Sequence, residues 1–89
     1  MRIIEATSQF KRDAKKYYSQ LLYNPNWFEI LNSLIADEVL HQKYKDHQLT
    51  GNLKEYRDCH VQNDLVLLYQ KIEDRLILCR IGTHSELCL

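Results

Sequence analysis

The side chains best suited to moving protons near neutral pH lie in the C-terminal half of the chain: His47, His60 and His84, with Asp58 and Asp64 among them. An imidazole titrates at roughly pH 6.5, so one ring can accept a proton while another donates one. A metal-free transfer at an RNA phosphodiester needs that pair. The 2′-hydroxyl loses a proton as it attacks phosphorus, the leaving 5′-oxygen gains one, and a cation offsets the charge on phosphate. Arg57, Lys54 and Arg80 are the candidate cations. The turn Gln62-Asn63-Asp64 is expected to bring Asp64 back beside His60. A plainer reading stands beside this one. An isolated histidine in a small domain is commonly a surface or hydrogen-bonded residue, as expected of His41, and Asp46, Asp58 and Asp64 suit turns and strand ends.

Three histidines and an aspartate could also complete a four-ligand metal site. The spacing argues against it, because no H-x-x-x-H or other short-range ligand pair falls on one helix face. No metal or other cofactor is expected. Cys59, Cys79 and Cys88 are odd in number and lack C-x-x-C spacing, which excludes a disulfide frame or zinc ribbon and fits a reducing cytoplasm.

To meet in one pocket these residues must be positioned by regular elements. Arg2 to Ala6 reads as a short strand, and Thr7-Ser8 suits a helix N-cap. Phe10, Ala14, Tyr17, Tyr18 and Leu21 then recur at helical spacing, with Lys11, Arg12, Lys15 and Lys16 on the other faces. Asn24-Pro25 caps and opens a second helix, whose apolar stripe is Trp27, Ile30, Leu31, Leu34 and Ile35 and which should fade near His41. From Gln42 to Leu53 the periodicity is lost, predicting an ordered loop that presents His47. The period then becomes two: Tyr56, Asp58 and His60 share one face, and Arg57, Cys59 and Val61 the other. Leu65 to Ile72 and Leu76 to Ile81 complete an antiparallel meander, with His84 just beyond its last strand and Leu87-Cys88-Leu89 as a short apolar tail. The expected fold is α+β, with two N-terminal helices packed on one face of an antiparallel sheet of about four strands (β-α-α-β-β-β) and a ligand on the opposite face or its rim.

With 89 residues, 45% of them hydrophobic, and only Gly 2 and Pro 1, the chain is read as one densely structured domain over 1–89. Formal net charge is +0, so no whole-chain basic field announces nucleic acid. The local cluster holding Lys11 and Lys15 is a solvated helix face unless a phosphate partner meets it. Met1 to Glu5 lacks a secretory apolar run, and no segment approaches the roughly 20 apolar residues of a membrane span. A cytoplasmic protein without membrane contact is expected.

Four blocks occur together: Tyr44-Lys45-Asp46-His47-Gln48-Leu49-Thr50-Gly51; Tyr56-Arg57-Asp58-Cys59-His60-Val61; Asp64 with Leu67-Leu68-Tyr69; and Arg80-Ile81-Gly82-Thr83-His84-Ser85-Glu86-Leu87. In combination they resemble the YafQ branch of the RelE toxin superfamily. Phe10-Lys11-Arg12-Asp13 and the Leu/Ile pattern to Leu40 extend the likeness along the chain. The resemblance implies a RelE-like fold and a bacterial type II toxin that cleaves messenger RNA in the ribosomal A site without a metal. It implies a cognate antitoxin partner, with operator DNA reached only through that antitoxin. The family's active residues fall on His47, His60, Asp64 and His84, with Asp58 in support; one imidazole, His84 by preference, shares proton transfer with Asp64 or another histidine. RNA contacts are assigned to Lys54, Arg57, Arg80, Lys11 and Lys15. Three departures stand out: Asn63-Asp64-Leu65 replaces a common Pro-Asp-Trp, the net charge is neutral where relatives are more basic, and Leu87-Cys88 replaces a common terminal Leu-Phe. A lost aromatic there would remove a base contact of about 1–3 kcal/mol. A second class of function is therefore weighed: a catalytically weak homologue serving only as a binding module in an antitoxin and DNA complex.

Overall fold

A computed structural model describes all 89 residues. The chain runs β1 (Ile3–Ala6), α1 (Ser8–Lys16), α2 (Tyr18–Leu21), α3 (Pro25–Ile35), β2 (His47–Gln48), β3 (Arg57–Gln62), β4 (Leu65–Ile72), β5 (Arg75–Gly82) and α4 (His84–Leu87), with single 3-10 turns at Gln42–Tyr44 and Gly51–Leu53. The expected α+β class holds, and four particulars differ from the sequence expectation. The sheet has five strands in the order β1-β5-β4-β3-β2. It is not wholly antiparallel, because β1 runs parallel to β5 with Ile3 opposite Arg75 and Ala6 opposite Leu78. No hairpin joins those two strands, so nothing forces them to be antiparallel. The first helix breaks at Tyr17, whose backbone leaves helical geometry and caps α1. The second ends at Ile35 rather than near His41, because Asp37 turns left-handed at φ 59°.

Local chemistry accounts for the helix starts. Thr7 Oγ1 accepts the Phe10 amide at 3.0 Å and itself donates to the Cys79 carbonyl at 2.8 Å, so one hydroxyl caps α1 and ties it to β5. Asn24 caps α3 through the Asn26 amide, with Pro25 in the first helical position. α1 to α3 lie on one sheet face. There Phe10, Trp27, Ile30 and Leu34 pack with Cys59, Val61, Leu67, Tyr69, Leu76 and Ile81 in one apolar core.

The alternation predicted for β3 is observed. Cys59 and Val61 belong to the helix-side core, while Tyr56 packs on the other face against a smaller cluster of Val66, Leu68, Cys79 and Leu87. Leu87 reaches that cluster because the expected C-terminal tail is instead a one-turn helix. Thr83 and Glu86 form a reciprocal capping box around its start. Gly82 leaves room for the capping carboxylate: a Cβ there would stand 2.8 Å from Glu86 Oε1, which would have to shift. No helix is long and apolar enough to cross a membrane.

Candidate active site

Strand register assembles the site. His47 pairs with Asp58 across β2 and β3, and His60, Val66 and Gly82 form one row across β3, β4 and β5. α4 begins two residues after Gly82 and folds back toward that row. The His84 and His60 rings meet edge to face with centroids 4.9 Å apart. His47, Asp58, His60, Asp64 and His84, drawn from five places in the sequence, thus come together at one end of the sheet.

Two of the imidazoles have an assignable proton. His47 Nδ1 lies 2.7 Å from the Lys45 carbonyl, which can only accept, so Nδ1 carries hydrogen and Nε2 is free. Asp64 Oδ1 accepts both the backbone amide of His84 at 3.0 Å and its Nδ1 at 2.7 Å, leaving that ring's Nε2 free as well. These bonds hold the Asp64 carboxyl below its usual range. The Gln62 to Asp64 turn does bring Asp64 to the wall that carries His60, but its hydrogen-bond partner is His84.

Asp58 is the buried polar residue of the fold. Its Oδ1 lies 3.3 Å from His47 Nδ1 but accepts no hydrogen bond. Burial raises its pKa, opposed by the charges of His47, His60 and His84. His60 moves the other way. Burial first, then the neighbouring His84 and Lys45, favour its neutral form, with Asp58 opposing. Neighbouring groups so differently perturbed are the pattern of acid–base sites.

Two expected phosphate cations prove to be engaged elsewhere. Arg57 binds Asp46 at 3.0 Å, and Asp46 also accepts from the buried Tyr69 hydroxyl. This clamp fixes the residue before His47 to the residue before Asp58. Arg80 Nε binds Asp13 Oδ2 at 2.8 Å, and the same oxygen accepts the Ile81 amide at 3.2 Å. Since β1 stops opposite Leu78, Asp13 completes the uncovered edge of β5 and takes Arg80 with it. Lys11 and Lys15 are exposed on α1, in the helix layer, and Lys54 is exposed after the Gly51–Leu53 turn. His47 is held in β2 rather than on an open loop. His41 Nδ1 accepts the Lys43 amide, a local turn contact consistent with its plain reading. Leu65 sits in the helix-side core, whereas Cys88 is exposed with φ 59°. No set of three His, Cys, Asp or Glu side chains converges in metal-holding geometry.

A cleft of about 650 Å³ opens beside these groups, lined by His60, Asp64, Asn63, Lys43, Lys45 and Asn26, among others. The model for "Bacterial toxin of type II toxin-antitoxin system, YafQ" matches residues 2–89. The chain belongs to the YafQ family. The mRNA interferase toxin YafQ of Escherichia coli K12 is 36% identical over 98 residues, covering 97% of this chain and 95% of that one. Among solved structures, a copper-bound mutant toxin from Helicobacter pylori aligns with TM-score 0.90 at 33% identity, covering 98% of this chain and 99% of that one. YafQ in the Escherichia coli DinJ–YafQ complex aligns at 0.84 and 34% identity, covering 98% of each chain. Lys43 and Lys45 line the cleft, and the sequence reading named neither among its candidate cations. Their signal was position alone: both flank Tyr44, just before His47.

Proposed function

We propose that this chain is the toxin of a type II toxin–antitoxin pair and a metal-independent endoribonuclease that cuts messenger RNA in the ribosomal A site. The observation that carries the reading is the contact of His60 with His84 at 4.9 Å, one ring buried toward neutrality and the other held by Asp64, beside a cleft that His60 and Asp64 line. His60, favoured in its neutral form, takes the 2′-hydroxyl proton as oxygen attacks phosphorus. His84, its Nδ1 bonded to an ionised Asp64, gives a proton from Nε2 to the departing 5′-oxygen. The Asp64 charge stabilises the imidazolium that must exist before that donation. His47 presents Nε2 to the phosphate, and Asp58 beneath the three rings keeps positive charge favourable in the site.

The mRNA interferase named among the relatives and the antitoxin complex of the Escherichia coli protein support substrate class and partner. A protein antitoxin that covers the basic α1 face or the histidine end would silence the toxin, the antitoxin rather than this chain touching operator DNA. The test is induction of the chain and of His84→Ala in bacteria, with transcript ends mapped. Growth arrest and new ends within codons are expected only from the unsubstituted chain; equal arrest, or intact messages in both, removes the proposal. One observation favours a second reading, a catalytically weak binding module: Arg57 and Arg80 are both neutralised by aspartates. It predicts antitoxin binding with intact messages.

A further inference from the structure

The two-residue β2 pairs only with Arg57 and Asp58, so the outer edge of β3 from Cys59 onward has no strand beside it. The cleft occupies this uncovered edge, between β3, the start of α3 and the Gln42–Tyr44 turn. Its volume of about 650 Å³ lies within the roughly 300–1,000 Å³ of small-ligand sites. Its walls are polar. Tyr44 and Val61 are the apolar residues among the nine that line it, and both are buried in the core, so the one aromatic ring its walls expose is His60, already assigned to proton transfer.

The groups left unsatisfied in this cleft are suited to one kind of ligand. Lys45 has no ion pair; Lys11, Arg12, Lys15 and Lys54 have none either, but none of those four lines the cleft. Lys43 is weakly held rather than free: it stands 3.8 Å from Glu29, a loose pair open to solvent on both sides, and lies over the Tyr44 ring 5.1 Å from its centroid. Asn63, at the tip of the β3–β4 turn, carries both amide functions without an internal partner, whereas Asn26 is bound to the Val61 carbonyl and Gln62 to Asn24 and Gln20. Two ammonium groups and one free amide, set beside the His60 and Asp64 wall, match an anionic group and a hydrogen-bonding base edge. Lys45 also joins the cleft to the chemistry. Its left-handed backbone, φ 53°, turns the chain into β2, and its carbonyl holds His47 Nδ1.

We propose that this cleft is the subsite for the nucleotide adjoining the scissile bond, with Lys45 and Lys43 on its phosphate and the Asn63 amide on its base edge. The inference rests on the nuclease reading and adds to it where the flanking nucleotide lies and which side chains select it. Recognition is by charge and hydrogen bonding, not stacking.

The test is cleavage of ribosome-bound messenger RNA across a salt series by the unsubstituted chain, Lys45→Asn, Lys43→Gln and Asn63→Ala. Asparagine is chosen at 45 because it tolerates the left-handed region. Each lysine variant should raise the half-saturating concentration and flatten the dependence of log kcat/KM on log salt by about 0.7, the counterion release of one single-strand phosphate contact. The saturated rate should stay within about threefold, and Asn63→Ala should shift the bases found next to the cut. Unchanged half-saturation and parallel salt slopes overturn the phosphate assignment, and an unaltered cut distribution overturns the role of Asn63. Absence of cleavage by the unsubstituted chain overturns the nuclease reading itself, a result separable from failure of the subsite alone.

Discussion

Asp58→Asn should stabilise this protein while disabling it. The carboxylate is almost fully buried, and one of its oxygens has no hydrogen-bond donor. An unsatisfied buried acceptor costs about 1–3 kcal/mol, more if charged, but three imidazoles nearby offset part of this, so about 1 kcal/mol of net relief is expected. For a domain of this size that is an increase of roughly 4–8 °C in Tm. The pH dependence follows from the direction of the shift. Burial raises the folded-state pKa of Asp58 above its unfolded value, so the native state binds the proton more tightly. The cost of ionised Asp58 is therefore fully present above the folded pKa and disappears as pH falls below the unfolded one. Thermal unfolding of both proteins at pH 7.5 and near pH 4 tests this: the variant should lead at the higher pH, and the gap should close at the lower. RNA cleavage should fall by about tenfold or more, because the charge that supports the imidazolium form is gone. A variant less stable at neutral pH, or a gap independent of pH, would refute the reasoning, since Asp58 would then be a satisfied structural group.

Three further outcomes are expected. The acidic limb of kcat/KM should lie below pH 6.5, because burial, His84 and Lys45 all favour neutral His60, and Lys45→Asn should move that limb upward; a limb at or above 6.5 in the unsubstituted chain would assign the base elsewhere. Gly82→Ala should place its methyl against Glu86 Oε1 and displace the capping box that orients His84, lowering the cleavage rate by more than its Tm change would suggest, as paired kinetics and melting would reveal. Asp13→Ala should strand Arg80 and the Ile81 amide and cost about 1–3 kcal/mol, seen as a lower urea midpoint at unchanged m-value.

What the sequence revealed, and what it concealed, divides by the range of the interaction that decides each feature. The α3 start was legible because Asn24 and Pro25 act on their immediate neighbours, and the face shared by Asp58 and His60 follows from a strand period of two. The break at Tyr17 was not legible: the helical spacing runs through it, and the residue is held by its hydroxyl bond to Glu86, sixty-nine positions away. The same is true of the parallel pairing, since β1 finds β5 only after the intervening chain has folded; the extra strand, β2, was hidden instead by its length of two residues.

The candidate site shows the same division more sharply. Residue type was enough to nominate imidazoles and carboxylates, because few side chains transfer protons near neutrality. It was not enough to choose the cations, because a positive side chain is available to a ligand only if no carboxylate claims it. Arg57 and Arg80 were named as candidate cations for the phosphate, and in the fold they pair with Asp46 and Asp13. Asp13 lies in the first helix and meets Arg80 only because β1 ends early and leaves the β5 edge to be satisfied by a side chain. Lys45, the left-handed residue that ends a 3-10 turn, makes no ion pair. Which cations this fold leaves unpaired is thus decided in part by which arginines it ties to its own aspartates.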